Sequence, residues 1–223
     1  MEDINNWQIK FKSCEYSAKL LSKLISLNEK VTNPVDIKEI IKALYYAKKY
    51  HGSQMRQSGE PYYSHPIEVA YMFASYTAQA VHQLFNTNMI VTSLLHDTIE
   101  DTTLTEEMIA QIFGSLVASQ VEDLTRVKPY GKISSKEILE LLVQQEKYDV
   151  ALIKIFDRIH NLQTLGAKSP EKALKIVKET IGYFIDICIR LEIPTAEQQL
   201  INLCYKNLPI TPNPSALEYT FLG

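Results

Sequence analysis

The chain has 223 residues, 46% of them hydrophobic and 22% charged, with a formal net charge of -3. That length supports a real core in one large domain, or a domain with a small appendage, and the composition excludes a disordered or low-complexity chain. The slightly acidic balance excludes broad binding to nucleic acid or anionic membranes but allows a local basic patch that holds a phosphorylated small molecule. No apolar run approaches the ~20 residues a membrane span needs.

Helical periodicity dominates, and only 7 glycines interrupt it. From Trp7 to about Asn28, apolar positions such as Tyr16, Leu20, Leu21 and Leu24 predict an amphipathic helix that ends at Thr32-Asn33-Pro34. Asp36 can cap a second helix running toward His51. Ser58-Gly59 and Pro61 mark residues 52–64 as a loop, and Pro66 suits the first turn of the next helix, with His65 at its start. Further helices are predicted near 66–77, 88–101, 105–126, 134–146, 148–166, 170–192 and 195–206. Thr105, followed by Glu106 and Glu107, has the character of a helix start. The tail from Leu208 reads as an irregular segment packed on the surface. Strand-like alternation is weak everywhere, so the expected fold is all-α in one domain. Cys14, Cys188 and Cys204 are scattered and read as reduced, buried residues. The N-terminus lacks a basic segment followed by an apolar one, so a cytoplasmic protein is expected.

Four candidate metal ligands stand in three places: His65, the pair His96-Asp97, and Asp157. An apolar run carries His96-Asp97, and Glu100 and Asp101 follow at spacings that place Asp97, Glu100 and Asp101 on one helical face. A lone His-Asp pair is more often the hydrated end of a helix. Here a second apolar stretch, 152–162, carries Asp157 and Asn161 at i, i+4. Burying so many acids is costly unless a cation or a reaction requires it. Mixed imidazole and carboxylate donors suit manganese, iron, nickel or zinc better than calcium. Such an ion lowers the pKa of a water and offsets charge on a phosphoryl oxygen, and Glu100 or Asp101 could orient that water or take its proton. Asn161 would hydrogen-bond ligand or substrate. Arg56 and Arg158 are plausible phosphate or base contacts, with a structural ion pair an equal reading for Arg158. Tyr62 and Tyr63 could stack on a base. His51 is expected to close its helix, His82 to be exposed, and His160 to play a supporting role. The residues alone thus point to a metal-dependent hydrolase.

Several ordered segments resemble the HD-domain hydrolases, specifically the hydrolase domain of the RelA/SpoT alarmone enzymes. These are Arg56-Gln57-Ser58-Gly59-Glu60-Pro61-Tyr62 leading to His65-Pro66, then 95–102 around His96-Asp97, Phe113-Gly114, and Asp157-Arg158-Ile159-His160-Asn161. The resemblance covers roughly residues 40–193. It implies a helical bundle binding one manganese ion through His65, His96, Asp97 and Asp157; iron, nickel and zinc fit the same donors. It implies hydrolysis of the 3′-pyrophosphate of guanosine tetra- or pentaphosphate, with Glu100 and Asp101 acting on the water, Arg56 and Ser58 in the nucleotide loop and Asn161 lining the pocket. The implied organisation is an N-terminal helical extension (1–35), the HD hydrolase domain (36–193) and a C-terminal helix and tail (194–223) packed on it. Because the chain ends at Gly223, the resemblance reads it as a stand-alone hydrolase or a separated hydrolase domain. A dimer contact is a second reading of the N-terminal helix.

Gln57 replaces a basic residue usual in the family, Phe156 a small one, and Gln163 and Asp149 fall near customary arginines. None of these removes a proposed ligand. The alternatives are an HD phosphohydrolase of another nucleotide (a nicotinamide dinucleotide phosphate or a dNTP) and a nucleotide-sensing module without turnover.

Overall fold

Short polar side chains set the helix boundaries of this protein. The computed structural model describes residues 6–208. In order the helices are α1 (Trp7–Lys10), α2 (Glu15–Asn28), α3 (Ile37–His51), α4 (Ser64–Ala80), α5 (Thr87–Leu95), α6 (Thr98–Asp101), α7 (Glu106–Phe113), α8 (Ser115–Leu124), α9 (Ser135–Gln144), α10 (Tyr148–Gln163), α11 (Pro170–Glu179), α12 (Ile185–Arg190) and α13 (Pro194–Asn207). The fold is all-α, as the periodicity predicts, apart from one small hairpin. Asp36 caps α3 by accepting from the Lys38 and Glu39 amides, and the Thr105 hydroxyl accepts from the Met108 amide at the start of α7. Ser134 and Glu137 form a reciprocal capping box on α9. No described helix is long and apolar enough to cross a membrane.

Three predicted helices are broken, each for a local reason. The expected 7–28 helix is interrupted between α1 and α2, where the Ser17 hydroxyl satisfies both the amide and the carbonyl of Cys14. The expected 105–126 helix divides at Gly114, whose φ of 92° is a conformation glycine adopts without strain. The expected 88–101 helix stops after Leu95 and restarts at Thr98, which puts His96 and Asp97 at the junction. The hairpin, β1 (Val127–Lys128) against β2 (Gly131–Lys132), pairs Val127 with Lys132. Its two-residue strands are too short to leave an alternation signature in sequence. The tail expected to be irregular, residues 209–223, lies outside the described residues.

The chain divides into two compact units between Asn161 and Leu162. In the first, α4 packs against α2 and α5, while α5 also meets α3 and α8. Leu20, Leu24, Ile40, Leu44, Phe73, Ile90 and Leu94 are fully buried there, each stabilising the fold by roughly 1.5–3 kcal/mol. Phe156 on α10 lies 6.3 Å edge-on from Phe73 and 5.7 Å from Tyr76, so its large ring is accommodated in an aromatic cluster. In the second unit, Val177, Phe184, Ile187, Cys188, Leu200 and Cys204 are buried, with a single π-helical turn at Thr180–Phe184 between α11 and α12.

Candidate metal centre

His96 is fixed by the end of the helix that carries it. Its ring Nδ1 lies 2.8 Å from the Ser93 carbonyl, so Nδ1 carries the proton and Nε2 presents its lone pair. That Nε2 is buried and makes no hydrogen bond, although Asp97 Oδ1 lies 3.0 Å away and Asp157 Oδ1 3.9 Å away. Burial disfavours a charged ring here, but Asp97 and Asp157 overcome it and raise the proton affinity of His96. The same field attracts a cation. His65, in the first turn of α4, turns its Nε2 to Asp157 Oδ1 at 3.1 Å and Asp97 Oδ2 at 3.3 Å. Donor atoms of His65, His96 and Asp157 all lie within 4.8 Å of one another, and Asp97 closes the fourth side. An unpartnered imidazole nitrogen and converging carboxylates are the donor set a divalent transition ion requires. His65, His96, Asp97 and Asp157 therefore fit the ion.

Asp157 is held from its own helix. Lys154, one turn earlier on α10 and only 4% exposed, donates to Asp157 Oδ2 at 2.7 Å. Asn161, one turn later, donates to Oδ1 at 2.6 Å and accepts from Arg56 Nη2 at 3.2 Å. Thus the loop before α4 is tied to the candidate ligand Asp157 through one amide. Burial pushes Asp157 upward, yet Lys154 and His65 hold it well below the usual carboxylate range; Asp97 is held low in the same way by His96 and His65.

The acids of α6 separate. Asp101 accepts from the Tyr62 hydroxyl at 2.5 Å, and Asp97 Oδ2 lies 3.3 Å from the same hydroxyl. Burial, only partly offset by the Tyr62 bond, raises the proton affinity of Asp101, with Asp97 and Glu100 adding to the rise. Glu100 departs from the shared face expected of it. Its carboxylate receives Arg126 Nη2 at 2.7 Å, Arg126 Nε at 3.1 Å, the Arg126 amide at 3.2 Å and Lys132 Nζ at 2.8 Å. Burial opposes its charge, but these donors hold Glu100 ionised and low.

The Ser58 hydroxyl donates to Glu60 within the loop. Arg158 is 6% exposed, as buried as its neighbour Asp157. Tyr62 stacks on His51 at 4.7 Å and directs its hydroxyl to the acids. His51 closes α3 and His82 is exposed, as expected. Lys154 was missed in the sequence, although its i, i+3 spacing to Asp157 was a signal that could have found it. Arg126 and Lys132 reach Glu100 across 26 and 32 residues respectively and left no local signal.

His160 lies with its Nδ1 2.8 Å from His65 Nδ1. Burial first, then the neighbouring His65 and Arg56, lower its pKa to about 3. A histidine whose folded value is depressed binds its proton more readily when unfolded. Its contribution to stability is therefore complete above the unfolded value near 6.5 and falls away as pH drops toward 3. Denaturant titrations of the metal-free protein should show stability declining below about pH 6.5. The His160→Gln variant should show a shallower decline over that window; an identical slope would assign the effect elsewhere.

The HD domain family pattern matches residues 43–193. The chain is 36% identical over 189 residues to "GTP pyrophosphokinase rsh" of Brucella ovis, an alignment that covers 81% of this chain and 24% of that protein. It is 35% identical over 180 residues to "GTP pyrophosphokinase" of Myxococcus xanthus, covering 77% and 23%. It is 33% identical over 202 residues to "Probable GTP diphosphokinase RSH2, chloroplastic" of Arabidopsis thaliana, covering 86% and 27%. The chain thus spans about a quarter of the length of these curated relatives. A solved structure described as a metazoan ortholog of SpoT that hydrolyzes ppGpp superposes with a TM-score of 0.53 at 22% identity, covering 75% of this chain and 94% of that one; this likeness establishes the fold. All four candidate ligands fall within the matched segment, and the chain belongs to the HD-domain family, homologous to the RelA/SpoT proteins.

Proposed function

We propose that this centre hydrolyses the 3′-pyrophosphate of guanosine tetra- or pentaphosphate, releasing GDP or GTP and pyrophosphate, with one manganese ion. The observation that carries this reading is the convergence of His65, His96, Asp97 and Asp157 beside Asp101, in a chain homologous to proteins of guanine-nucleotide metabolism. When bound, the ion lowers the pKa of a water and offsets charge on a phosphoryl oxygen. Asp101, with an oxygen not committed to Tyr62 and a raised proton affinity, takes the proton of that water. Glu100, saturated by Arg126 and Lys132, keeps those two cations beside the site instead of accepting the proton. Arg56, Ser58 and Asn161 contact the nucleotide, and the Arg56–Asn161–Asp157 chain couples its seating to the metal aspartate. Arg158, next to Asp157 on α10, stays in that set as a phosphate contact.

The test is pyrophosphate release from guanosine tetraphosphate by purified protein with and without manganese. Manganese-dependent release of GDP and pyrophosphate is expected. Release only from a dNTP or a nicotinamide dinucleotide phosphate would overturn the substrate. No release from any of them by folded, metal-loaded protein would make the centre a binding module.

A further inference from the structure

The loop between α3 and α4 touches the α6 acids twice. Gln54 donates from Nε2 to the Asp101 carbonyl at 2.8 Å, and Tyr62 donates to the Asp101 carboxylate. The two residues are themselves paired through the backbone, Tyr62 N to Gln54 O at 2.9 Å, next to a bridge between Met55 and Pro61. Because the Gln54 amide nitrogen is spent on Asp101, its oxygen faces His51 and accepts from Nδ1 at 3.0 Å. His51, 1% exposed, in turn stacks its ring on Tyr62 at 4.7 Å with 24° between the planes. The result is a closed circuit: His51 orients Gln54 and supports the Tyr62 ring, while Gln54 and Tyr62 grip the main chain and side chain of Asp101.

We propose that Tyr62 is a positioning residue for hydrolysis, its hydroxyl setting the carboxylate of Asp101 against the metal ligand Asp97. A phenol has one proton to donate, and the distances show where it goes: Asp101 at 2.5 Å, with Asp97 Oδ2 at 3.3 Å on the same oxygen. The bond occupies Asp101 Oδ2 and turns Oδ1 to the reacting water. Two half-buried acids that would otherwise repel each other are thus held in register by a neutral group. Tyr62 touches neither substrate nor the reacting atoms; it acts through Asp101. The role rests on the hydrolytic reading above.

The test is a double-mutant cycle with Tyr62→Phe and Asp101→Asn, all variants loaded with manganese. Tyr62→Phe keeps the ring stacked on His51 and removes only the hydroxyl. It should lower kcat by about 10–100-fold, the range typical of lost supporting partners, with KM and manganese affinity unchanged. In the Asp101→Asn background the same change should have little further effect, because the hydroxyl works through that carboxylate. Equal losses in both backgrounds would overturn the proposal, as would a Tyr62→Phe enzyme with unchanged kcat. A wild type inactive on guanosine tetraphosphate would instead overturn the substrate. The positioning role is then read from crystal structures of manganese-loaded wild type and Tyr62→Phe. Asp101 should leave its wild-type rotamer in the variant while the four ligands stay in place; an unmoved Asp101 would end the proposal whatever the substrate.

Discussion

Asp157→Asn is expected to yield protein that neither retains a divalent ion nor turns over substrate. The carboxylate works in two directions. Its Oδ1 faces His65 Nε2 at 3.1 Å and His96 Nε2 at 3.9 Å, and its Oδ2 neutralises Lys154 at 2.7 Å. An amide removes the charge from both. Metal content after dialysis should fall to background, and turnover should drop beyond detection. Stability should fall too, because breaking a buried ion pair on one side costs about 3–5 kcal/mol. The double variant Asp157→Asn, Lys154→Met separates the two effects: it should recover much of the stability and none of the metal. Stoichiometric metal in either variant would show that Asp157 is not a ligand.

Asp101→Asn should have the opposite profile, with metal retained at wild-type affinity and turnover reduced by about 10²–10⁴-fold, the usual worth of a positioned general base. Stability should change little, since the amide still accepts from Tyr62. Glu100→Gln is the matched comparison. It also keeps the metal, but its loss comes through loosened Arg126 and Lys132 rather than through a missing base. A larger loss in Asp101→Asn than in Glu100→Gln assigns the proton to Asp101, and the reverse order returns it to Glu100.

Much of this was legible in the sequence because the signals were local. The Asp36 and Thr105 caps, the placement of His65 beside Pro66 and the i, i+4 partnership of Asp157 with Asn161 follow from spacings of four residues or fewer. The helical face expected to present Asp97, Glu100 and Asp101 together was right for the i, i+4 pair, which shares the Tyr62 hydroxyl. Glu100 diverged because its partners, Lys132 in the hairpin and Arg126 just before it, are more than twenty residues away, and no periodicity announces such a contact. The ring contact of Tyr62 was hidden for a similar reason. An aromatic in a nucleotide loop suggests base stacking, but the partner that captures its ring, His51, belongs to the preceding helix.

The break after α5 has a consequence for the strength of the centre as a ligand. A helix leaves its final carbonyls without amide partners, and partial negative charge collects there. In α5, side chains consume these acceptors: the Thr98 hydroxyl donates to the Leu95 carbonyl at 2.6 Å, and the His96 ring lies 2.8 Å from that of Ser93. The negative end of the helix dipole therefore bears on one edge of the imidazole while the opposite edge faces the acids. Electron density is pushed through the ring toward Nε2, which makes it a stronger donor than a histidine bonded to water. Helix termination and the basicity of His96 Nε2 are then coupled through one acceptor, the Ser93 carbonyl.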